Sequence, residues 1–223
     1  MSTQLVATRA ATVFVVDDDT SVRDSLRWLV ESVGLQAVTF SDAQELLRQV
    51  SPAQPGCFVL DVRMPGMSGL ELQEQLVARG FHQPVIIMTA YGDVPMAVRA
   101  MKKGAVYFFE KNSSNQVLLE QIQAALVEDE ARRSVEDANR IVRDRYQRLT
   151  AREVEVLELV TTGLSSKEVG TRLGVSFKTV EAHRAKIMKK MEADSVPHLI
   201  RMYVAATGAA PLAESAVSRT APR

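Results

Sequence analysis

The sequence holds a single cysteine, Cys57, so no disulfide can close within the chain. Its setting in "CFVLD" reads as a strand, and a core thiol rather than a reactive one is expected there. No run of about 18 apolar residues occurs, which excludes a membrane-spanning helix. Net charge is missing too: 27 Lys and Arg balance 27 Asp and Glu, so the chain is not basic throughout. A local basic face remains open, and charge has to be counted segment by segment. The opening "MSTQLVATRAAT" lacks an apolar stretch, so a secretory signal is not expected and a cytoplasmic location is. What is present is 46% hydrophobic and 24% charged residues over 223 positions, a globular composition sufficient for one large or two ordinary domains.

The first half alternates between two patterns. Short apolar runs stand at Thr12–Val16, Gln36–Phe40, Cys57–Leu60, Pro84–Met88 and Ala105–Phe109. Helical patterns lie between them at Ser21–Val33, Asp42–Val50, Gly69–Arg79 and Val94–Lys103, and another begins near Ser114. Strands rich in Val, Ile and Phe that alternate with helices imply βαβ units and a five-stranded parallel sheet, an α/β doubly wound domain over 12–128.

From Ser114 to Leu149 there is neither proline nor glycine, and "VEDEARRSVEDANRIVRDRYQR" is dense in both charges. A long helix is expected, with 129–149 as a helical linker. Val135, Ala138, Val142 and Leu149 form a sparse heptad-like seam that would pair with a copy of itself, or else remain solvated. After Thr150 the pattern is helical alone, at Ala151–Thr162, Ser166–Leu173, Phe177–Met191 and Val196–Ala206. That implies a compact all-α domain over 150–206. The end, 207–223, is small and polar and is expected to be disordered.

Polar residues fall where the strands of the first domain end. Asp17 and Asp18 follow the first strand, Asp61 ends the third, Thr89 follows the fourth and Lys111 the fifth. Open parallel sheets bind ligands outside their carboxyl ends, so these residues should meet at one edge. Clustered carboxylates repel and call for a cation, and oxygen ligands with partial hydration suit Mg2+. A carboxylate beside such an ion can attack a phosphoryl group, and Lys111 and Thr89 could then hold the phosphoryl oxygens.

"VFVVDDD", "LDVRMPGMSG", "MTAYGDVPMAV" and "GAVYFFEK", in this order, resemble the receiver domains of bacterial two-component response regulators. The "GDVPMAV…MKKGAV" stretch is nearest the FixJ subgroup. The resemblance implies a flavodoxin-like fold in which Asp61 accepts phosphate from a sensor histidine kinase. It implies Asp18, Asp61 and the main-chain carbonyl of Arg63 as magnesium ligands, with Asp17 acting through water. Thr89 and the aromatic ring of Phe108 would be the switch residues, with Lys111 sensing the phosphoryl group. Receivers usually follow this lysine with proline, and here Asn112 follows. A trans peptide is expected at that bond, because a cis bond before a non-proline residue costs roughly 2.5–4 kcal/mol.

In the second domain two helical patterns meet at "LGVS", with Gly174 for the turn and Ser176 for the next N-cap, a helix-turn-helix signature. Gly163–Met191 holds seven Lys and Arg against two acids, a net of +5 inside a neutral chain. "LTAREVEVL" and "KTVEAHRAKIMKKM" resemble the LuxR/NarL output domain, a four-helix bundle that binds double-stranded DNA. On a helical wheel, Ile187 and Met191 fall within about 20° of Val180, marking the buried stripe. Lys178, Ala182, Ala185 and Lys189 point away from it. Glu181, Ala182 and Ala185 are expected at base edges, alanines against thymine methyls and Glu181 accepting from cytosine. Lys167, Lys178, Thr179, Lys186 and Lys189 should set position on phosphates, and Ser176 joins this DNA-contacting set. Arg184 lies only about 40° from Val180 and is expected to pack its stem.

The family resemblance further implies a homodimer when phosphorylated, formed through helix four and strand five at about Asp93–Glu110. The last helix would add a second contact, and RNA polymerase would be a further partner. No enzyme activity beyond this is expected. An aspartate-nucleophile phosphohydrolase commonly carries an acid two residues after the nucleophile, and Arg63 stands there. A DNA binder with a degenerate switch is the other alternative.

Overall fold

The computed structural model describes residues 11–208. The opening segment and the stretch expected to form a disordered tail lie outside the described residues, apart from Thr207 and Gly208, which end the last helix. The chain divides into two compact units, Met1–Arg133 and Ser134–Arg223.

The first unit is a five-stranded parallel sheet, β1 (Thr12–Val16), β2 (Gln36–Phe40), β3 (Gly56–Asp61), β4 (Val85–Thr89) and β5 (Tyr107–Glu110), in the order β2-β1-β3-β4-β5. Helices α1 (Thr20–Glu31), α2 (Ala43–Gln49), α3 (Gly69–Ala78) and α4 (Val94–Lys102) make the crossovers. Every residue of β3 and β4 is buried, which is why both read as apolar runs without alternation. The two faces of the sheet carry separate cores. Phe14, Phe58, Leu60 and Ile87 pack with Leu46, Leu72 and Leu76 on one side. Val15, Val59, Ile86 and Met88 pack with Val30, Leu118 and Ile122 on the other. The expected strands and helices are all present, with ends moved by one or two residues, the usual fraying at element termini.

Helix α5 (Asn115–Gln147) runs 33 residues. Its early turns give Leu118, Ile122 and Ala125 to the first unit's core. Within the span expected to be linker, Asp129 is 2% exposed and accepts from the Gly56 N–H at 2.9 Å. Arg133 pairs with Asp129 and donates to the carbonyl of Ala53 at 3.1 Å.

The second unit contains α6 (Ala151–Thr161), α7 (Ser166–Leu173), α8 (Phe177–Met191) and α9 (Val196–Thr207). Thr150 with Glu153, and Ser165 with Glu168, form reciprocal capping boxes that start α6 and α7. The core is Val156, Leu157, Val169, Val180, Ile187, Met191, Leu199 and Met202, with Leu149 buried among them and Val142 and Tyr146 packed on it. This corrects the heptad-like seam. Val142 and Leu149 are spent inside their own unit, whereas Val135 is exposed. Apolar spacing along a helix does not say whether the partner is another chain or the chain's own next helix.

No helix among the described residues is long and apolar enough to cross a membrane. Cys57 is fully buried, and burial pushes its thiol up to about 12.

Candidate functional site

Parallel register places the polar residues at one edge. Val16 is level with Leu60, Asp61 with Met88 and Thr89 with Glu110, so the positions just after β1 and at the ends of β3, β4 and β5 come together. The sheet order reverses between β1 and β3, the switch point where α/β sheets bind ligands.

The structure gathers Asp17, Asp61 and Lys111 there. The Lys111 ammonium is 2.6 Å from Asp17 Oδ2 and 2.8 Å from Asp61 Oδ1. Both carboxylates are buried. Each uses its other oxygen locally: Asp17 Oδ1 accepts from Asp19 N at 2.9 Å, and Asp61 Oδ2 from Arg63 N at 2.8 Å. Burial raises the Asp61 carboxyl above its ordinary value and outweighs the lowering by Lys111. Burial works against the Lys111 charge, but its bonds to Asp17 and Asp61 prevail and hold it protonated above the usual lysine value.

Two expectations change in detail. Asp18 is exposed and does not join the buried pair. No group of three or more His, Cys, Asp or Glu side chains among the described residues is arranged as a metal cage. The repulsion expected of clustered carboxylates is instead offset by Lys111, which lies between two of them. The donor chemistry nevertheless fits magnesium, which takes one or two carboxylates and keeps several waters.

Thr89 is fully buried, and its hydroxyl is held in its own turn, 3.3 Å from both the N and the O of Tyr91. The Arg63 guanidinium lies 5.7 Å from the centre of the exposed Tyr91 ring, within cation–π range. Phe108 is half-buried against the core. Gly92 makes its room: a Cβ there would stand 2.8 Å from Phe108 Cε1. Tyr91 and Gly92 were missed in the sequence, although the signal was the glycine directly after the strand-end "TAY". The Lys111–Asn112 bond is trans, as no cis peptide occurs among the described residues.

In the second unit Gly174 ends α7 with φ +65°, a left-handed conformation costly to other residues. Ser176 then caps α8, its side chain accepting from Thr179 N. Val180, Ile187 and Met191 are buried, matching the wheel. Lys167, Ser176, Lys178, Thr179, Ala182, Ala185, Lys186 and Lys189 are all exposed. Glu181 is exposed but not free. Its Oε1 is bonded to Ser166 Oγ and lies 3.7 Å from Arg184 Nη1. Arg184 donates to Ser166 Oγ at 2.6 Å and is half-buried, so its stem packs as the wheel implied. Ser166 was missed, because its partners lie on another helix.

The family "Response regulator receiver domain" matches residues 13–123, and "Bacterial regulatory proteins, luxR family" matches residues 147–203. The chain belongs to the NarL/FixJ family of response regulators. This response regulator is 46% identical over 199 residues to transcriptional regulatory protein FixJ of Azorhizobium caulinodans, covering 89% of the chain and 94% of the relative. It is 45% identical to nodulation protein W of Bradyrhizobium diazoefficiens, covering 88% of the chain and 86% of that protein. Among solved structures, response regulator StyR aligns with a TM-score of 0.81 at 44% identity, covering 87% of this chain and 98% of that one. Full-length FixJ from B. japonicum aligns at 0.53 and 38% identity, covering 91% and 100%.

The response regulator is therefore a phosphorylation-controlled, DNA-binding transcriptional regulator of a two-component system. Its receiver domain implies a histidine kinase as partner, and its LuxR-type domain implies DNA. Receiver domains bind magnesium at the site of phosphorylation.

Proposed function

We propose that Asp61 is the phosphoacceptor and that phosphorylation shifts the protein from a resting state to a DNA-binding dimer. The carrying observation is the buried Asp61 carboxylate at the sheet's switch point, held 2.8 Å from the Lys111 ammonium. Asp18, Asp61 and the Arg63 main-chain carbonyl would hold a magnesium ion, with Asp17 assisting through water. When bound, the ion would supply charge neutralisation for an incoming phosphoryl group. An Asp61 oxygen forms the new bond to phosphorus as the donor's leaving group departs. Lys111 then exchanges its contact with the Asp61 oxygen for the phosphoryl oxygens, and Thr89 leaves its Tyr91 turn to donate to them.

Phosphorylation replaces the single negative charge of the Asp61 carboxylate with a phosphoryl group of about −1.5 to −2, which adds charge at a buried edge and biases an existing equilibrium. Phe108 is the switch ring, since Gly92 beside it leaves the space it occupies. Dimerisation uses α4 and β5, a reading supported by Val94, Val98 and Met101, which are large, apolar and exposed on α4. The α9 helix supplies a second contact between DNA-bound domains. Ala182 and Ala185 meet thymine methyls and Glu181 a cytosine amine, while Lys167, Ser176, Lys178, Thr179, Lys186 and Lys189 track phosphates. The regulator acts in the cytoplasm as an activator that engages RNA polymerase, and it carries no further enzyme activity. A small-molecule phosphoryl donor with magnesium should label wild type and not Asp61→Asn. Equal labelling of both would remove Asp61 from this role.

A further inference from the structure

Two consecutive serines begin α7, and they do different things. Ser165 is the N-cap, closed in a reciprocal box with Glu168, so the helix start is already satisfied. Ser166, the next residue, is 5% exposed, and its hydroxyl makes no capping bond. It reaches across to α8 instead, donating to Glu181 Oε1 and accepting from Arg184 Nη1 at 2.6 Å. A buried hydroxyl is costly unless it is bonded, and this one is bonded on both sides.

The hydroxyl lies between two opposite charges. Glu181 and Arg184 sit three residues apart on one helix, the spacing at which an acid and a base pair directly. Here their nearest atoms stand 3.7 Å apart, beyond direct hydrogen-bonding distance, because each is bonded to Ser166. Glu181 is thereby held through Oε1, and its Oε2 makes no hydrogen bond to any described residue. The side chain is 48% exposed, beside the exposed Ala182 and Ala185.

We propose that Ser166 is a positioning residue for sequence readout: it keeps Glu181 from collapsing onto Arg184, leaving one carboxylate oxygen to accept from a base-edge amine. This rests on Glu181 facing a base, as proposed above. Without the hydroxyl, Arg184 closes on Glu181, and the acceptor is consumed inside the protein. Phosphate contacts from the lysines do not pass through Ser166 and are untouched.

The test uses the full-length chain with a phosphoryl donor and DNA sites selected by wild type from a randomised library. Affinities for the selected site and for each single-base variant are then measured for wild type, Ser166→Ala, Glu181→Gln and the double variant. Alanine is smaller and a good helix former, so Ser166→Ala is expected to fold. Its preference at the Glu181-dependent base pair should fall about tenfold, the scale of one base contact, with an unchanged salt slope and no further loss in the double variant. Full preference retained in Ser166→Ala, or an equal loss on every sequence, overturns the proposal. If Glu181→Gln itself leaves every base preference intact, the reading of Glu181 at a base falls instead.

Discussion

Lys111 Nζ lies 2.8 Å from Asp61 Oδ1, and the same ammonium reaches Asp17 Oδ2 at 2.6 Å. One cation therefore serves two buried acids that arrive from different strands. Removing it leaves both carboxylates facing each other without a counter-charge. Lys111→Met, which keeps the stem, should destabilise the receiver by about 3 kcal/mol in denaturant unfolding without magnesium. Magnesium should restore more stability to this variant than it adds to wild type. An unchanged midpoint in metal-free buffer would show that the pair contributes nothing.

Asp61 makes the complementary prediction for pH. Its folded-state carboxyl is raised above the ordinary 3.8, chiefly by burial, so the folded state keeps this proton to higher pH than the unfolded chain does. Its contribution to stability is present below 3.8 and is lost as pH rises through the raised value. Asp61→Asn removes that loss. In metal-free buffer the variant should gain stability over wild type as pH climbs through this window. A gap that shrinks with rising pH would contradict the assignment.

The parallel sheet was legible because its central strands are buried on both faces. "CFVLD" and "VIIMT" carry no alternation, and the flanking helices carry their own periodicity. The acidic edge was legible by the same logic, since Asp17, Asp61, Thr89 and Lys111 all fall at strand ends. Contacts made by single atoms across the fold were not legible. Nothing local shows that Lys111 sits between two acids, that Ser166 bridges Glu181 and Arg184, or that Asp129 turns inward to the Gly56 N–H. Val142 and Leu149 misled for a related reason, because an apolar stripe is satisfied equally by a neighbouring helix of the same chain.

Cys57 should be silent to thiol reagents in the native protein. It is fully buried and its thiol is pushed up to about 12, so the thiolate is scarce at neutral pH. Alkylation should proceed only on unfolding. The stability tied to this proton is intact below the ordinary 9.0 and is lost as pH rises from there towards 12. Rapid labelling of folded protein at neutral pH would contradict the burial.

On α8, Lys189 is exposed on the face opposite the buried Val180, Ile187 and Met191. Lys189→Ala should weaken binding to all DNA sequences alike and reduce the salt slope by about one. Ala185→Glu should interfere at the base edges, abolishing sequence preference while leaving thermal unfolding unchanged to within about 0.5 kcal/mol. A Lys189→Ala protein with the wild-type salt slope would take that residue out of the footprint.

Charge added at Asp61 is proposed to control DNA binding by the LuxR-type domain. Its most direct test is a DNA titration of wild type and Asp61→Asn, each with magnesium, with and without a small-molecule phosphoryl donor. The donor is expected to strengthen wild-type binding at least about tenfold, with dimer formation seen by sedimentation, and to leave Asp61→Asn unchanged. Equal affinity of wild type in both conditions, or an equal response from Asp61→Asn, would contradict it.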